Sequence, residues 1–164
     1  MNAGPLPLRL GELGEADRAG WEPLARGYKL FYKTEVSDAG YDEAWRRLRQ
    51  GGELLGLGAW LPAAMDAPDV PGERLVGIAH AVWQTSVWAP TVLYLQDLFV
   101  APDARGHGVA AALIELLAQR ARAAGAARYY WLTQDHNTRA RALYDRVAKN
   151  QGFIRYDHPM TPPL

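Results

Sequence analysis

The sequence predicts one α/β domain, residues 1–164, built on a mixed β-sheet. Its length and its composition, 49% hydrophobic and 22% charged, are those of a single globular domain. Residues 74–83 and 91–100 are rich in β-branched and aromatic side chains and flank a short connecting segment, which indicates an antiparallel hairpin. A helical run then separates the second of these strands from another at 128–133, and this order implies a right-handed parallel crossover.

The N-terminal half is predicted to form two helices and two strands. Trp21, Leu24, Tyr28 and Phe31 recur at three- and four-residue spacing, which is the signature of a helix that buries one face. The second helix has a polar start at Ser37 and is followed by two glycines. The predicted elements are a strand, two helices, a strand and a proline-rich loop, over residues 6–10, 15–31, 42–50, 53–61 and 62–73.

The C-terminal half is predicted to form two helices and two strands. A run rich in alanine and leucine predicts a helix with Gly125 as its C-cap. Asn137 is predicted to cap a last helix, on which Ala140, Leu143 and Tyr144 follow the spacing of an apolar stripe. The predicted elements are a helix at 108–124, a strand at 128–133, a helix after residue 137 and a strand at 153–156.

The composition excludes several classes of function. The chain has 18 basic and 18 acidic residues, so it lacks the positive charge that nucleic-acid binding requires. It has no cysteine, and its four histidines show no metal-ligand spacing, so we expect no metal. No apolar stretch has the length of a membrane span and no signal-peptide pattern is present, so we expect a cytoplasmic protein that does not bind membranes.

The most informative stretch is R-G-H-G-V-A, residues 105–110, between the predicted strand 91–100 and the helix that follows it. A helix N-terminus exposes backbone N–H groups and a partial positive charge, and glycines let an anion approach them. Arg105 adds a guanidinium suited to phosphate oxygens. Three interpretations are open: a pyrophosphate cradle, a glycine-rich turn with a solvent-facing arginine, or a dinucleotide-binding fingerprint with Asp135 as its acidic ribose ligand.

Two motifs, in order along the chain, extend this pattern. Arg105, Gly108 and Ala110 follow the lead-in F-V-A-P-D-A, and the run N-T-R-A-R-A-L-Y-D-R-V begins at Asn137. They resemble the R/Q-x-x-G-x-G/A loop and the N-x-x-A-x-x-x-Y helix of the GNAT superfamily of acyl-CoA N-acyltransferases, and the resemblance covers residues 75–156 well. It implies a mostly antiparallel sheet with helices on both faces and splayed central strands, with acetyl-CoA as cosubstrate and a homodimeric assembly.

The resemblance also implies an activity. It points to direct transfer of an acetyl group from acetyl-CoA to a primary amine of a small molecule, such as a polyamine, an amino acid or a lysine-like compound. Two alternatives stay open. The chain could be a CoA-binding regulatory module without turnover, or an acetyltransferase that acts on lysines of proteins or peptides.

The resemblance further assigns roles to residues of the two motifs. Tyr144 would be the acid that protonates the departing thiolate, although a tyrosine on an apolar helical stripe also suits a core position. A main-chain N–H near Val100 would face the thioester oxygen, and the strand around it would bond the pantetheine arm. The residues expected to bind acetyl-CoA are Leu98, Phe99, Val100, Arg105, Gly106, His107, Gly108, Val109, Ala110 and Asn137.

On the acceptor side, the segment 76–100 resembles the spermidine/spermine acetyltransferase branch, in which a similar hairpin ends Y-L-E-D. Gln96 stands in place of that glutamate, and an amide cannot supply its charge. Asp97 remains, and strand alternation sends it to the face opposite Gln96. His80 is either a base near the acceptor or a satisfied core residue. The candidate acceptor-binding residues are Tyr32, Glu35, Trp83, Gln96 and Asp97, with Asp38 and Trp88 as further candidates.

One spacing departs from the GNAT pattern. Tyr144 and Gly152 are eight positions apart, whereas the family commonly places its tyrosine about four residues before Gly-Phe. The difference predicts an added turn of helix before the last strand.

Overall fold

The computed structural model describes residues 7–64 and 71–160. These residues divide after Leu132 into two compact units, an N-terminal and a C-terminal one, and the single-domain organisation stays a prediction. The start of the strand predicted at 6–10 and the middle of the loop predicted at 62–73 lie outside the described residues.

The N-terminal unit contains a five-stranded sheet in the order β1-β2-β3-β4-β5. Each neighbouring pair is antiparallel except β4 and β5, which are parallel. The mixed, mostly antiparallel sheet and the parallel crossover are therefore confirmed. The elements are β1 (Arg9–Glu12), α1 (Arg18–Phe31), α2 (Asp38–Gln50), β2 (Leu54–Pro62), β3 (Glu73–Gln84), β4 (Val92–Val100), α3 (Val109–Ala123) and β5 (Tyr129–Trp131), with α4 (Thr138–Val147) in the C-terminal unit.

Helices cover both faces of this sheet. The indole of Trp21, on α1, donates a hydrogen bond to His80 of β3. On the same strand, a Cβ at Gly77 would lie 2.7 Å from a methyl of Val109, the first residue of α3. Gly77 and His80 are three residues apart, and side chains an odd number of residues apart on a strand face opposite sides. Thus α1 and α3 pack on opposite faces, as predicted.

The helix ends follow the chemistry of their sequences. The hydroxyl of Ser37 accepts a hydrogen bond from the amide of Gly40, so α2 begins at Asp38, earlier than predicted. Gly125 follows the C-cap of α3 with a φ of 65°, the left-handed conformation expected after a helix end. The core between the layers is apolar, and its fully buried members include Leu57, Ile78, Leu93, Leu113 and Leu117.

Two predictions for the C-terminal unit are wrong. α4 ends at Val147 and Ala148 is extended, so the extra residues before Gly152 do not add a helical turn. Residues 148–160 contain no strand, and Phe153 is 89% exposed. The apolar run at 153–156 has strand composition, but a strand needs a partner for its backbone groups, and none of the described strands pairs with it.

Candidate active site

The site is organised by an irregularity in the middle of β4. His80 pairs with Asp97 and the next β3 residue, Ala81, pairs with Leu95, so Gln96 is an extra residue with no partner on β3. This is a β-bulge, which bends the strand and changes the phase of its hydrogen bonds.

Beyond the bulge, two backbone amides of β4 face away from β3. The amide of Ala101 donates to the carbonyl oxygen of Val76 at 2.8 Å, which sets the phase of the ladder. Because residues of an antiparallel pair alternate between bonded and non-bonded positions, Phe99 bonds to β3, whereas Leu98 and Val100 direct their N–H and C=O groups to the opposite edge.

That opposite edge is open along the second half of β4. The amide of Leu93 donates to the carbonyl of Arg128 at 2.9 Å, and β5 pairs with β4 only as far as Leu95. In the parts of the chain that the structure describes, no strand pairs with Gln96–Val100 on this side. The strands therefore part where the sequence predicted a splay, and an extended ligand with its own amides could add to the edge.

The loop before α3 lies next to this open edge. The Nε–H of Arg105 donates to the carbonyl oxygen of Val100 at 3.3 Å, and its guanidinium lies 5.8 Å from the ring centroid of Phe99. Gly106 and Gly108 have φ values of 85° and 75°, and the space that a Cβ would fill at each is open. Both glycines thus adopt a left-handed conformation that side chains disfavour, and nothing obstructs approach to the loop.

The first turn of α3 keeps its backbone donors available. Gly108 is the N-cap and offers no side-chain acceptor, and the first helical hydrogen bond runs from the amide of Ala112 to the carbonyl of Gly108. The amides of residues 109–111 therefore have no partner within the helix and are the free donors of a helix start. Val109 is 2% exposed and packs on the sheet, which fixes this end of the helix. The cradle suits a pyrophosphate in both charge and space.

Behind the bulge lies a chain of hydrogen bonds, the His80 clamp, formed by Trp21, His80 and Asp97. The Nε1–H of Trp21 donates to Nε2 of His80 at 2.9 Å, and Nδ1 of His80 lies 2.8 Å from Oδ2 of Asp97. An indole can only donate, so Nε2 must be an acceptor and the imidazole proton lies on Nδ1, where it is donated to Asp97. Because both ring nitrogens are engaged, the structure agrees with a satisfied residue rather than a base.

Tyr28 completes the surroundings of Asp97. Burial works to raise the pKa of Asp97, but hydrogen bonds from His80 and Tyr28 outweigh it and hold that pKa below its usual value. Burial, reinforced by the charge of Asp97, raises the pKa of Tyr28 far above its usual range, so its phenol stays protonated. The same hydroxyl lies 3.4 Å from the carbonyl oxygen of Gln96.

Other aromatic rings lie close to Tyr28, the tyrosine that bonds this carboxylate. The rings of Tyr28 and Tyr32 have centroids 4.9 Å apart, and Tyr94 stacks on Tyr130 with centroids 5.1 Å apart. Tyr32 and Tyr94 are also close enough to Tyr28 to contribute, more weakly, to the rise of its pKa. An anionic group among aromatic rings suits a cationic amine.

The predicted acceptor residues divide into two groups. Tyr32 and Asp97 come together around Tyr28, and the backbone of Gln96 contributes its carbonyl. The other candidates have no contact of this kind with Tyr28. Glu35 is exposed between α1 and α2, and Trp83 is half-buried near the end of β3.

Three further sequence candidates have surface positions. Asp38 is paired with Arg26 at 2.6 Å. Trp88 is 94% exposed in the β3–β4 connection, and His107 is exposed in the loop. Tyr28, Trp21 and Tyr94 were missed as parts of the site because their spacing or strand position also fits a core. The polar hydroxyl of Tyr28 within an apolar helical stripe was the one available signal.

In the C-terminal unit, Asn137 caps α4 as predicted. Its Oδ1 accepts from the amide of Ala140 at 3.4 Å, and its Nδ2 donates to Oγ1 of Thr133 at 3.2 Å. Tyr144 is half-buried on the same helix. Its role as the acid stays a prediction.

Within residues 7–64 and 71–160, no group of three histidine, aspartate or glutamate side chains is placed to hold a metal ion. None of the helices in those ranges is long and apolar enough to cross a membrane.

Comparison with known proteins identifies the family. The chain matches the Acetyltransferase (GNAT) family over residues 21–149 and belongs to that family. This confirms the predicted fold class, the enzyme class of N-acetyltransferase and acetyl-CoA as cosubstrate. The dinucleotide-binding interpretation is wrong, since that fold needs a mainly parallel sheet and only β4 and β5 are parallel here.

Individual relatives resemble this chain over about half to nearly all of its length. A D-amino-acid N-acetyltransferase, HPA3, from Saccharomyces cerevisiae is 30% identical over 141 residues, which are 85% of this chain and 83% of that protein. A thialysine N-epsilon-acetyltransferase from Caenorhabditis elegans is 33% identical over 90 residues, 52% of this chain and 56% of that protein. The structure of AAC(6')-Iy with the bisubstrate analog CoA-S-monomethyl-acetylneamine superposes with a TM-score of 0.77 at 15% identity and covers 94% of this chain and 99% of that one.

Proposed function

We propose that the chain transfers an acetyl group from acetyl-CoA to the primary amine of a small, amino-acid-like or lysine-like molecule. The observation that carries the proposal is the open edge of β4 ending at the uncapped start of α3. The relatives named for D-amino acids and for thialysine support an amine of this kind.

Acetyl-CoA would lie along the open edge. We assign the pyrophosphate to the α3 cradle, with Arg105, Gly106, His107, Gly108, Val109 and Ala110 around it. The guanidinium of Arg105 is held by the carbonyl of Val100, so the cradle and the open edge are joined by one side chain. The pantetheine amides would pair with the backbone of Leu98 and with the carbonyl of Val100, which face the open edge. The family resemblance implies that Asn137 also bonds the pantetheine arm, and we keep that role as a proposal.

The chemistry needs a polarised thioester, a neutral amine and a proton for the thiolate. The N–H of Val100 would donate to the thioester oxygen, where negative charge develops as the amine attacks. The ammonium group first gives a proton to water, and the neutral amine nitrogen then bonds to the carbonyl carbon. The C–S bond breaks, the second proton leaves the nitrogen to water as the amide forms, and no acyl-enzyme forms. We propose Tyr144 as the acid that gives its proton to the departing thiolate.

The acceptor amine would enter beside Asp97. Its ammonium form would meet the carboxylate and the faces of Tyr28, Tyr32 and Tyr94. Carboxylate oxygens have further lone pairs beyond those that receive His80 and Tyr28, so Asp97 can accept from the substrate as well. Glu35, Trp83 and the side chain of Gln96 stay as outer candidates for the rest of the acceptor.

The organisation of the working enzyme is also a proposal. We propose that residues 1–164 act as one N-acetyltransferase domain, since the family match at 21–149 runs across both compact units. The homodimer and the cytoplasmic location rest on the family resemblance and on the sequence. Light scattering after size exclusion and cell fractionation would test them.

The activity is tested by incubating the purified chain with acetyl-CoA and a panel of amines. The panel contains D-amino acids, thialysine, lysine, a diamine, an aminoglycoside and a lysine-containing peptide. Released thiol and the acetylated product are measured, and we expect turnover with the amino-acid and lysine-like amines. Binding of CoA without transfer to any amine would favour the regulatory module, and transfer to the peptide alone would favour a protein acetyltransferase.

A further inference from the structure

We propose that His80 is a positioning residue: the His80 clamp holds the β4 bulge in register and so keeps the amides of Leu98 and Val100 on the open edge. The coenzyme-binding consequence rests on the proposed function. The control of strand register does not.

The register of β4 decides which way its amides point. In an unbulged ladder Gln96 would pair with His80, and every residue after it would shift by one position. Leu98 and Val100 would then turn their N–H groups toward β3. The open edge would present the alternate residues instead, and the two donors assigned to the coenzyme would be lost.

The clamp lies at the residue pair that fixes this register. His80 and Asp97 are direct cross-strand partners at the bulge, and their side chains are bonded at 2.8 Å. These side chains are only 16% and 14% exposed. A slip by one residue would move the Asp97 carboxylate to the face covered by α3, where Leu113 and Leu117 are fully buried. A charge placed there without a partner is strongly unfavourable, so the clamp favours the bulged register.

Trp21 makes the clamp directional. Its indole N–H occupies Nε2 of His80, which leaves the ring proton on Nδ1 toward Asp97. Trp21 is 2% exposed and its ring packs against Trp45, with centroids 5.0 Å apart, and against Tyr41 at 6.5 Å. The imidazole is therefore oriented by a side chain that is itself fixed in the core between α1 and α2.

The helix α1 contacts β4 on both sides of Asp97. The hydroxyl of Tyr28 lies at the carbonyl of Gln96, and the ring of Phe99 lies over Gly27, where an added Cβ would come within 2.6 Å. With the clamp, these contacts hold Gln96, Asp97 and Phe99 of β4 against α1. The bulge is thus shaped by α1 rather than by the hairpin alone.

Amide hydrogen exchange measured by NMR tests this directly. In the wild type, the amides of Phe99 and Ala101 should exchange slowly and those of Leu98 and Val100 rapidly, until CoA slows the latter pair. His80→Leu removes both hydrogen bonds at similar volume, and we expect it to weaken this alternation and to raise the Kd for CoA by about tenfold or more.

Two variants separate register from charge and from stability. Asp97→Asn keeps a carbonyl acceptor for the Nδ1–H of His80, and its amide would also be costly to bury unpaired beneath α3. The alternation should therefore persist, and the Kd for CoA should stay within about threefold of wild type. Leu61→Ala destabilises the core near the end of β2, where Leu61 pairs with Arg74 rather than with a residue next to the clamp, and it should leave both readouts unchanged while the protein is folded. Trp21→Phe keeps an aromatic ring, although a smaller one, and removes the donor, and it should give a smaller change in the direction of His80→Leu.

The proposal is overturned if folded His80→Leu keeps the wild-type alternation and CoA affinity. If that variant does not fold, the decision passes to Trp21→Phe, and wild-type values there would overturn it. Neither readout requires an acceptor amine or turnover. A wild-type protein that binds no CoA would contradict the proposed function, while the exchange pattern would still test the clamp.

Discussion

Replacement of Gly77 by alanine should displace the start of α3 and weaken both folding and coenzyme binding. An alanine Cβ would lie 2.7 Å from Cγ1 of Val109 and 3.2 Å from Cδ1 of Leu113, both buried. Carbon atoms pack at about 3.5 Å or more, so the helix start must move by about 0.8 Å. Gly77 is also the β3 partner of Val100, so the strain reaches the open edge of β4.

The size of the effect follows from two opposing contributions. Overpacking destabilises the folded state by about 1–3 kcal/mol. Alanine also makes the unfolded chain less flexible than glycine does, which offsets about 0.5–1 kcal/mol of that cost. We expect a net loss of about 1–2 kcal/mol in the free energy of unfolding, or about 2–8 °C in Tm. Gly11→Ala is a matched control, since a Cβ there meets only Trp60 at 4.0 Å.

A double-mutant cycle assigns the loss to one contact. Val109→Ala removes the clashing methyl and alone should cost about 2 kcal/mol. Combined with Gly77→Ala, it should show a favourable coupling of about 1 kcal/mol in urea denaturation, with partial recovery of CoA affinity by calorimetry. The reasoning is refuted if the two substitutions are additive within about 0.5 kcal/mol, or if Gly77→Ala is as harmless as Gly11→Ala.

Three other predictions concern the site. Arg105→Gln should raise the KM for acetyl-CoA by about tenfold, because a charged hydrogen-bonding group is lost from the cradle, and an unchanged KM would place the phosphates elsewhere. Tyr144→Phe should lower kcat by about 10²-fold or more with little change in the KM for acetyl-CoA, whereas Tyr156→Phe, at an exposed position of the same unit, should match the wild type. The pKa of Asp97 is lowered in the folded state, so its stabilising effect should be constant above about pH 4 and be lost as pH falls through the folded pKa. Denaturation of wild type and Asp97→Asn across acid pH would show this, and a difference that grows toward low pH would contradict it.

The hairpin and the anion loop could be predicted from sequence because their signals are local. β3 and β4 are rich in β-branched and aromatic residues. Gly108 is the N-cap of α3, in a left-handed conformation that glycine adopts readily. The same applies to Asn137, whose cap depends only on a donor three residues away. In each case the residues that determine the local structure lie in the same short segment that adopts it.

The bulge could not be predicted in this way, because it depends on pairing with another strand. Counting by two along β4 places Asp97 on the face of Leu95, under α3, whereas the extra residue moves it to the face of His80. Tyr28 was hidden for a related reason, since its spacing on α1 is that of a core residue. The strand at 153–156 failed because local composition says nothing about whether a partner strand is present.

The donors on the open edge of β4 belong to the main chain, and this makes them indifferent to side-chain identity. Leu98 or Val100 can change to most other residues and still present an N–H in the same direction. Proline is the exception, because it lacks that hydrogen. Genetic drift at these two positions would therefore change the sequence of β4 without removing its ligand-binding donors, so this part of the site should be recognised in distant members by strand geometry rather than by residue identity.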